Sequence, residues 1–285
     1  EFFKMIKLTE CPRDAMQGIK EFIPTDAKVR YINSLLKVGF DVIDFGSFVS
    51  HKAIPQLKDT SKVIKRLDLS STSSELLSIV ANERGVKEAV FYDEISIIGF
   101  PFSVSEKFQL RNTNTTRDSA LKTVQAIQDV CLKSGKKLRV YLSMGFGNPY
   151  GELFNSEIVL EWSKKLKDIG VEELVLSDTI GLAKPDIIKE LFNLLSKELE
   201  GVQFSAHFHS LPSTWEEKVS EAYKAGCKSF DSAIRGFGGC PMAKDNLVGN
   251  LATENLVDYF SNELSPRFNL EQFKASVELS NDIFG

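Results

Sequence analysis

Eight short apolar runs recur along the chain, each followed by a loop and a stretch of helical periodicity. They are Met5–Glu10, Asp41–Gly46, Leu76–Ala81, Glu94–Gly99, Lys137–Ser143, Glu173–Ser177, Gln203–Phe208 and Lys228–Ser232. Parallel strands need a crossover long enough to hold a helix, so strand and helix in alternation read as βαβ units. Near-continuous apolar strands such as Leu174-Val175-Leu176 suit a parallel sheet covered on both faces. Between the runs, Lys28–Val38 sets Val29, Ile32, Leu35 and Leu36 on one helix face and meets Gly39 at its end. Ser119–Ser134 aligns Ala120, Val124, Ile127 and Cys131 before Gly135. Pro185 opens a helix over Asp186–Lys197, and Thr214 is placed to cap Trp215–Ala225. An open nucleotide-binding sheet would carry a glycine-rich phosphate loop, and neither GxGxxG nor GxxxxGK[ST] occurs. The expectation is therefore α/β, a closed (β/α)8 TIM barrel. One catalytic domain is expected over 5–285, with a helical extension over 269–285 and residues 1–4 read as a cloning remnant.

Composition narrows the partners. The 285 residues carry 35 basic and 39 acidic side chains, net −4, which argues against nucleic acid. No apolar run approaches the roughly 18–20 residues that cross a bilayer, so no membrane partner is expected. The start lacks the order of a secretory leader. Cys11, Cys131, Cys227 and Cys240 form no CxxC pair and are too sparse for a disulfide scaffold. A reducing, cytoplasmic setting follows.

Barrel active sites lie at the C-terminal strand ends. Two of only three histidines form His207-x-His209 at the end of the seventh run. Residues two apart in a strand point the same way, so both imidazoles can face inward and hold one metal ion, or simply pair with each other. With carboxylate and amide oxygens and no thiolate, such a site suits Mg²⁺ or Mn²⁺. Arg13-Asp14 ends the first run: an ordinary surface pair, or a permanent cation for a developing enolate beside a ligand or base. Gly236-Phe237-Gly238-Gly239-Cys240-Pro241 bends sharply and carries a thiol at its tip, able to supply a proton to a carbanion. Cys131 and Cys227 fall on or next to buried faces, and His51 reads as a loop histidine.

Together these residues are similar to the 3-hydroxy-3-methylglutaryl-CoA lyase family of metal-dependent TIM-barrel enzymes. The matching motifs are Pro12-Arg13-Asp14-Ala15-Met16-Gln17, Ser47-Phe48-Val49, Pro55-Gln56, Ser105-Glu106-x-Phe108, Ser177-Asp178-Thr179-Ile180-Gly181, His207-x-His209, Gly238-Gly239-Cys240-Pro241 and Gly249-Asn250-Leu251-Ala252-Thr253-Glu254. The last two separate the lyase from its synthase relatives. The resemblance implies a divalent metal, Mg²⁺ or Mn²⁺, on Asp14, His207, His209 and Asn250. It implies Arg13 at the enolate oxygen, Cys240 as proton donor, and Asp44 in the catalytic shell with Asp14 and His207. Gln17, Ser47, Lys52 and Asp178 would meet an acyl-CoA substrate. The reaction implied is retro-Claisen cleavage to acetoacetate and acetyl-CoA, by a homodimer. The chain departs from the pattern at Asp44, usually glutamate, at Ala15, usually glycine, at Ser210-Leu211, usually Asp-Thr, and in a longer segment between Cys240 and Asn250. The alternatives are a Claisen-type synthase like isopropylmalate or homocitrate synthase, an aldolase, or an inactive barrel used for binding.

Overall fold

The computed structural model describes residues 5–239 and 248–284. The first half of the chain runs Lys7–Glu10 (β1), Pro12–Gln17 (α1), Thr25–Leu35 (α2), Val42–Ser47 (β2), Thr60–Ile64 (α3), Glu75–Ile79 (β3), Glu83–Ala89 (α4), Ile95–Ser103 (β4), Glu106–Thr113 (α5) and Arg117–Lys133 (α6). It continues Lys137–Ser143 (β5), Ser156–Asp168 (α7), Glu173–Asp178 (β6), Pro185–Glu198 (α8), Gln203–Ser210 (β7), Trp215–Lys224 (α9) and Ser229–Ser232 (β8). Gly249–Asn250 (β9), Thr253–Tyr259 (α10), Leu270–Leu279 (α11) and Asn281–Phe284 (α12) complete it.

Each of β1 to β8 pairs in parallel with its sequence neighbour, and β8 pairs with β1, which closes the cylinder. The expected TIM barrel is the observed one. β9 adds to β7 in antiparallel fashion at the C-terminal rim.

Element ends differ from the sequence reading where a cap or a proline was passed over. The second helix starts at Thr25, directly after Pro24, rather than at Lys28. α6 starts at Arg117 because the Thr116 side chain accepts from the Ser119 amide. β4 continues past Gly99 to Ser103, paired with β5 along its length. Thr214 makes no cap for α9; its hydroxyl is bonded to Ser210 Oγ at 3.0 Å instead. The tail consists of two helices, α11 and α12. No helix among the described residues is long and apolar enough to cross a membrane.

Outward-facing strand residues and the apolar helix faces form one large core around the barrel, including Leu8, Ile43, Ile98, Val140, Leu174, Ala206 and Phe230. The barrel interior is divided. Val42, Leu77, Ile79, Ile97, Tyr141 and Val175 from β2 to β6 form a second apolar cluster. The adjoining β7, β8 and β1 contribute polar His207, Asp231 and Thr9. Contacts between non-adjacent strands cross this interior, among them Arg139, which donates to Thr9 Oγ1 at 3.1 Å, and the Tyr141 ring, which meets His207 edge-on at 6.0 Å. At the opposite, N-terminal end lies a cavity of about 560 Å³ lined by Lys7, Thr9, Glu75, Lys137, Arg139 and Glu173. There Lys137 pairs with Glu75 and Arg139 with Glu173, each at 2.9 Å. The interior apolar cluster plugs the barrel between this cavity and the other rim. Leu77→Ala, at a fully buried position, is expected to cost about 2–5 kcal/mol. Urea denaturation checks this through a lowered midpoint at unchanged slope.

Candidate active site

Arg13 is the hub of the C-terminal rim. Pro12 opens α1 immediately after Cys11, whose amide donates to Ser232 O at 2.9 Å, so the turn is tied to β8. Arg13 is 8% exposed. Its Nε donates to both Asp44 oxygens at 3.2 and 3.0 Å, and its Nη2 reaches Asp44 Oδ2 at 2.6 Å. Its Nη1 donates to Asp14 Oδ1 at 2.8 Å and to Gln17 Oε1 at 2.9 Å. A guanidinium has five N–H groups, so one, on Nη2, is left to meet a ligand oxygen. Desolvation opposes charge on Arg13, but Asp44 and Asp14 more than offset it and hold the guanidinium protonated. Burial also opposes charge on Asp14. Arg13 and the two histidines overcome it, so this carboxyl sits well below the usual range. Burial pushes fully enclosed Asp44 up to about 6 against the pull of Arg13, which leaves it ionised at neutral pH.

The two histidines converge as the period-two argument requires. Their Nε2 atoms lie 3.3 Å apart, and Asp14 joins them in a group whose ligand atoms are all within 4.8 Å of one another. Each Nδ1 is engaged from behind: His207 with Asp231 Oδ2 at 3.1 Å, His209 with the Thr179 carbonyl at 2.8 Å. A carbonyl only accepts, so His209 carries its proton on Nδ1 and turns a lone pair on Nε2 toward His207. Burial, then the charge of His207, lowers His209 to about 4, so it is neutral at pH 7. For His207 burial works against charge, but the bond to Asp231 and that residue's charge prevail and raise its pKa. Two nitrogens this close must share something: a proton on His207, or a cation touching both. The outer bonds to Asp231 and Thr179 are the pattern that orients metal-binding imidazoles. The donor set thus fits a divalent ion. Cys11, His207 and Asp231 form a second close group. There His207 is already bonded to Asp231, and burial, then the charge of Asp231, keeps the thiol protonated.

Asn250 arrives by β9, whose register sets it opposite His209. Its amide donates to Asp14 Oδ2 at 2.7 Å and to the Phe237 carbonyl at 2.9 Å. Gly238 passes so close that an added Cβ would lie 2.6 Å from the Asn250 amide and 3.0 Å from Asp14 O, at a φ of +95°. The glycine run is therefore required to bring backbone against the ligand group. Cys240, expected as proton donor, lies outside the described residues.

Gln17 and Asp44 stand against Arg13 as above. Ser47, at the end of β2, is buried with its Oγ accepting from the Val49 amide at 3.1 Å. Lys52 is exposed on the loop that follows. Asp178 is 2% exposed and bonded to Lys218 Nζ at 2.6 Å. Sequence reading passed over Asp231 and Lys218 and gave Thr179 no role of its own; all three support the histidines. Asp231 left a trace: it is the one acid in the eighth run, beside Phe230. Glu10, next to Cys11, faces away from the site. Its carboxyl meets the Ile234 amide at 2.9 Å and Thr253 Oγ1 at 2.5 Å, and burial raises it to about 8.

A family model described as HMGL-like matches residues 5–278. Mitochondrial hydroxymethylglutaryl-CoA lyase of Mus musculus is 33% identical over 257 residues, covering 89% of this chain and 78% of the relative. The HMG-CoA lyase crystal structure from Bacillus subtilis superposes with a TM-score of 0.91 at 29% identity, covering 98% of this chain and 94% of that one. An HMG-CoA lyase from Acinetobacter baumannii, solved with coenzyme A and 3-methylmalate, gives a TM-score of 0.89 at 27% identity, covering 99% and 91%.

Glu10 carries a pH signature. Its pKa is about 8 folded against an ordinary 4.5, so the folded state keeps a proton that the unfolded chain releases. Its contribution to stability is complete below the ordinary value and is lost as pH rises toward the folded one. Glu10→Gln should melt with the wild type near pH 5 and a few degrees above it near pH 8.5, as differential scanning fluorimetry reads.

Proposed function

The chain belongs to the HMGL-like family, and on that premise we propose that it is a divalent-metal-dependent carbon–carbon lyase, cleaving 3-hydroxy-3-methylglutaryl-CoA to acetoacetate and acetyl-CoA. The observation that carries the metal part is the facing pair of Nε2 atoms 3.3 Å apart with Asp14 beside them. Asp14, His207, His209 and Asn250 would hold the ion, Mg²⁺ or Mn²⁺. Once bound, it supplies a charge that polarises the substrate's C3 hydroxyl and neighbouring oxygen.

The chain's own groups account for the rest. One nitrogen cannot both ligate and accept a proton, so with His207 spent on the ion the hydroxyl proton goes to Asp14. Its carboxylate has further lone pairs beyond those taken by Arg13 and Asn250. The C2–C3 bond breaks, its electrons pass to the thioester as an enolate, and the C3 oxygen becomes the ketone of acetoacetate. The open N–H of Arg13 meets the enolate oxygen. Asp44 and Gln17 hold the guanidinium in one orientation, so little reorganisation accompanies charge development. Cys240 supplies the proton that converts the enolate to acetyl-CoA and recovers one from Asp14. Gln17, Ser47 and Lys52, with Asp178 behind, are assigned to the acyl-CoA side. An anionic acyl-CoA partner needs local positive charge in a chain of net −4, and Arg13 and Lys52 provide it.

Release of acetyl-CoA from the substrate in the presence of Mg²⁺ tests the reaction; consumption of acetyl-CoA with an oxo acid would point to the synthase alternative. Arg13→Gln should lower kcat by about 10²–10³-fold with a smaller change in KM. Metal ligation needs deprotonated imidazoles, and the pKa of His207 is raised. Mg²⁺ affinity, read by calorimetry, should therefore fall as pH is lowered from 7.5 to 6, with proton release on binding. The buried free thiols Cys11, Cys131 and Cys227 support the cytoplasmic setting proposed with this activity. The assembly proposed is a homodimer, which light scattering checks.

A further inference from the structure

Lys218 is a lysine with no access to solvent worth the name. It sits in the first turns of α9, 5% exposed, and its ammonium points into the fold rather than away from it. Its three N–H bonds go to three acceptors: Asp178 Oδ2 at 2.6 Å, the His209 carbonyl at 2.8 Å and the Gly181 carbonyl at 3.2 Å. An ammonium has three donors, so this one is fully used. Burying a charge is costly unless it is paired and bonded, so a side chain of this kind is retained where its geometry matters.

The acceptors share one neighbour. Asp178 ends β6 and Gly181 lies three residues on. The carbonyl between them, that of Thr179, receives the Nδ1 proton of His209. Thr179 is itself pinned by the Met144 amide, which donates to its hydroxyl at 2.9 Å. Lys218 therefore grips both ends of the turn that holds the imidazole, and grips the backbone of the same histidine. β6 and β7 are hydrogen bonded only as far as the Asp178–Phe208 pair, so His209 lies one residue beyond the ladder. The ammonium takes over where the β6–β7 ladder stops.

We propose that Lys218 is a positioning residue: by clamping the 178–181 turn to the end of β7, it fixes the ring orientation and tautomer of His209, so that Nε2 faces His207. The part played by His209 toward a metal rests on the function proposed above, whereas the clamp itself does not.

The test reads His209 directly, in metal-free protein. With only three histidines in the chain, long-range ¹H–¹⁵N correlation spectra resolve each ring. In the wild type His209 is expected to show one protonated nitrogen, Nδ1, and one bare nitrogen, Nε2, with well-separated ¹⁵N shifts. In Lys218→Met that separation should collapse toward an average as both tautomers become populated, while His207 keeps its bond to Asp231. Lys218→Met leaves a buried carboxylate unpaired, so Lys218→Met combined with Asp178→Asn serves if the single variant does not fold. The same collapse is expected there. A folded variant with a lowered melting temperature but unmoved His209 signals would overturn the proposal, since that is what a merely structural lysine gives. Averaged His209 tautomers in the wild type would overturn it as well. Adding Mg²⁺ to the wild type afterwards reads the metal assignment separately: silence at His207 and His209 would count against the metal and leave the clamp to be judged on the metal-free spectra.

Discussion

The site depends on the hydrogen-bond register of one strand. β7 pairs in parallel with β6 on one edge and β8 on the other, and its last two residues pair with antiparallel β9. The β8 register sets His207 opposite Asp231, and the β9 register sets His209 opposite Asn250. Because side chains alternate across a strand, a slip of one residue would turn both imidazoles into the apolar layer between barrel and helices. Closing the barrel opposes such a slip, since β7 is held by β6 from Gln203 to Phe208 on one edge and by β8 at Ala206 and His207 on the other.

Charge is arranged around that frame with little solvent to soften it. Arg13 bridges an acid on β2 and an acid on its own turn, and Asp14 in turn meets Asn250. The result is a chain of contacts from β2 through α1 to β9 that spans the mouth of the barrel. Each member is bonded on the side away from the centre, so what remains exposed to a substrate is a small set of oriented groups. Preorganisation of this kind keeps the guanidinium from adjusting during a reaction. The division of the interior serves it too: apolar side chains from β2 to β6 seal the barrel, while the polar side at β7, β8 and β1 carries Asp231 beneath the histidines.

Much of this could be read in the chain alone. Eight apolar runs at βαβ spacing are sufficient for a closed barrel, and the two-residue spacing of His207 and His209 implies that their rings share a side. Element ends were less legible. Thr116 and Pro24 are helix-start signals, but a competing apolar pattern hid them, and Thr214 spends its hydroxyl on Ser210 rather than on a cap. Polar strand-end residues also cannot be sorted by position alone. Glu10 and Arg13 are three apart, yet Glu10 faces Thr253 and Ile234 behind the barrel wall while Arg13 enters the site.

By itself, the sequence determined the fold class and the inventory of ligating and charged groups, because periodicity and residue chemistry are local properties. Only the tertiary structure decided which of them meet. Asp14 and Asn250 are joined across 236 positions of chain by a single hydrogen bond. Asp231 reaches His207 through strand register, and Lys218 reaches His209 from a helix that follows it. These contacts depend on barrel closure and on buried charges finding partners, and neither leaves a mark in the spacing of residues along the chain.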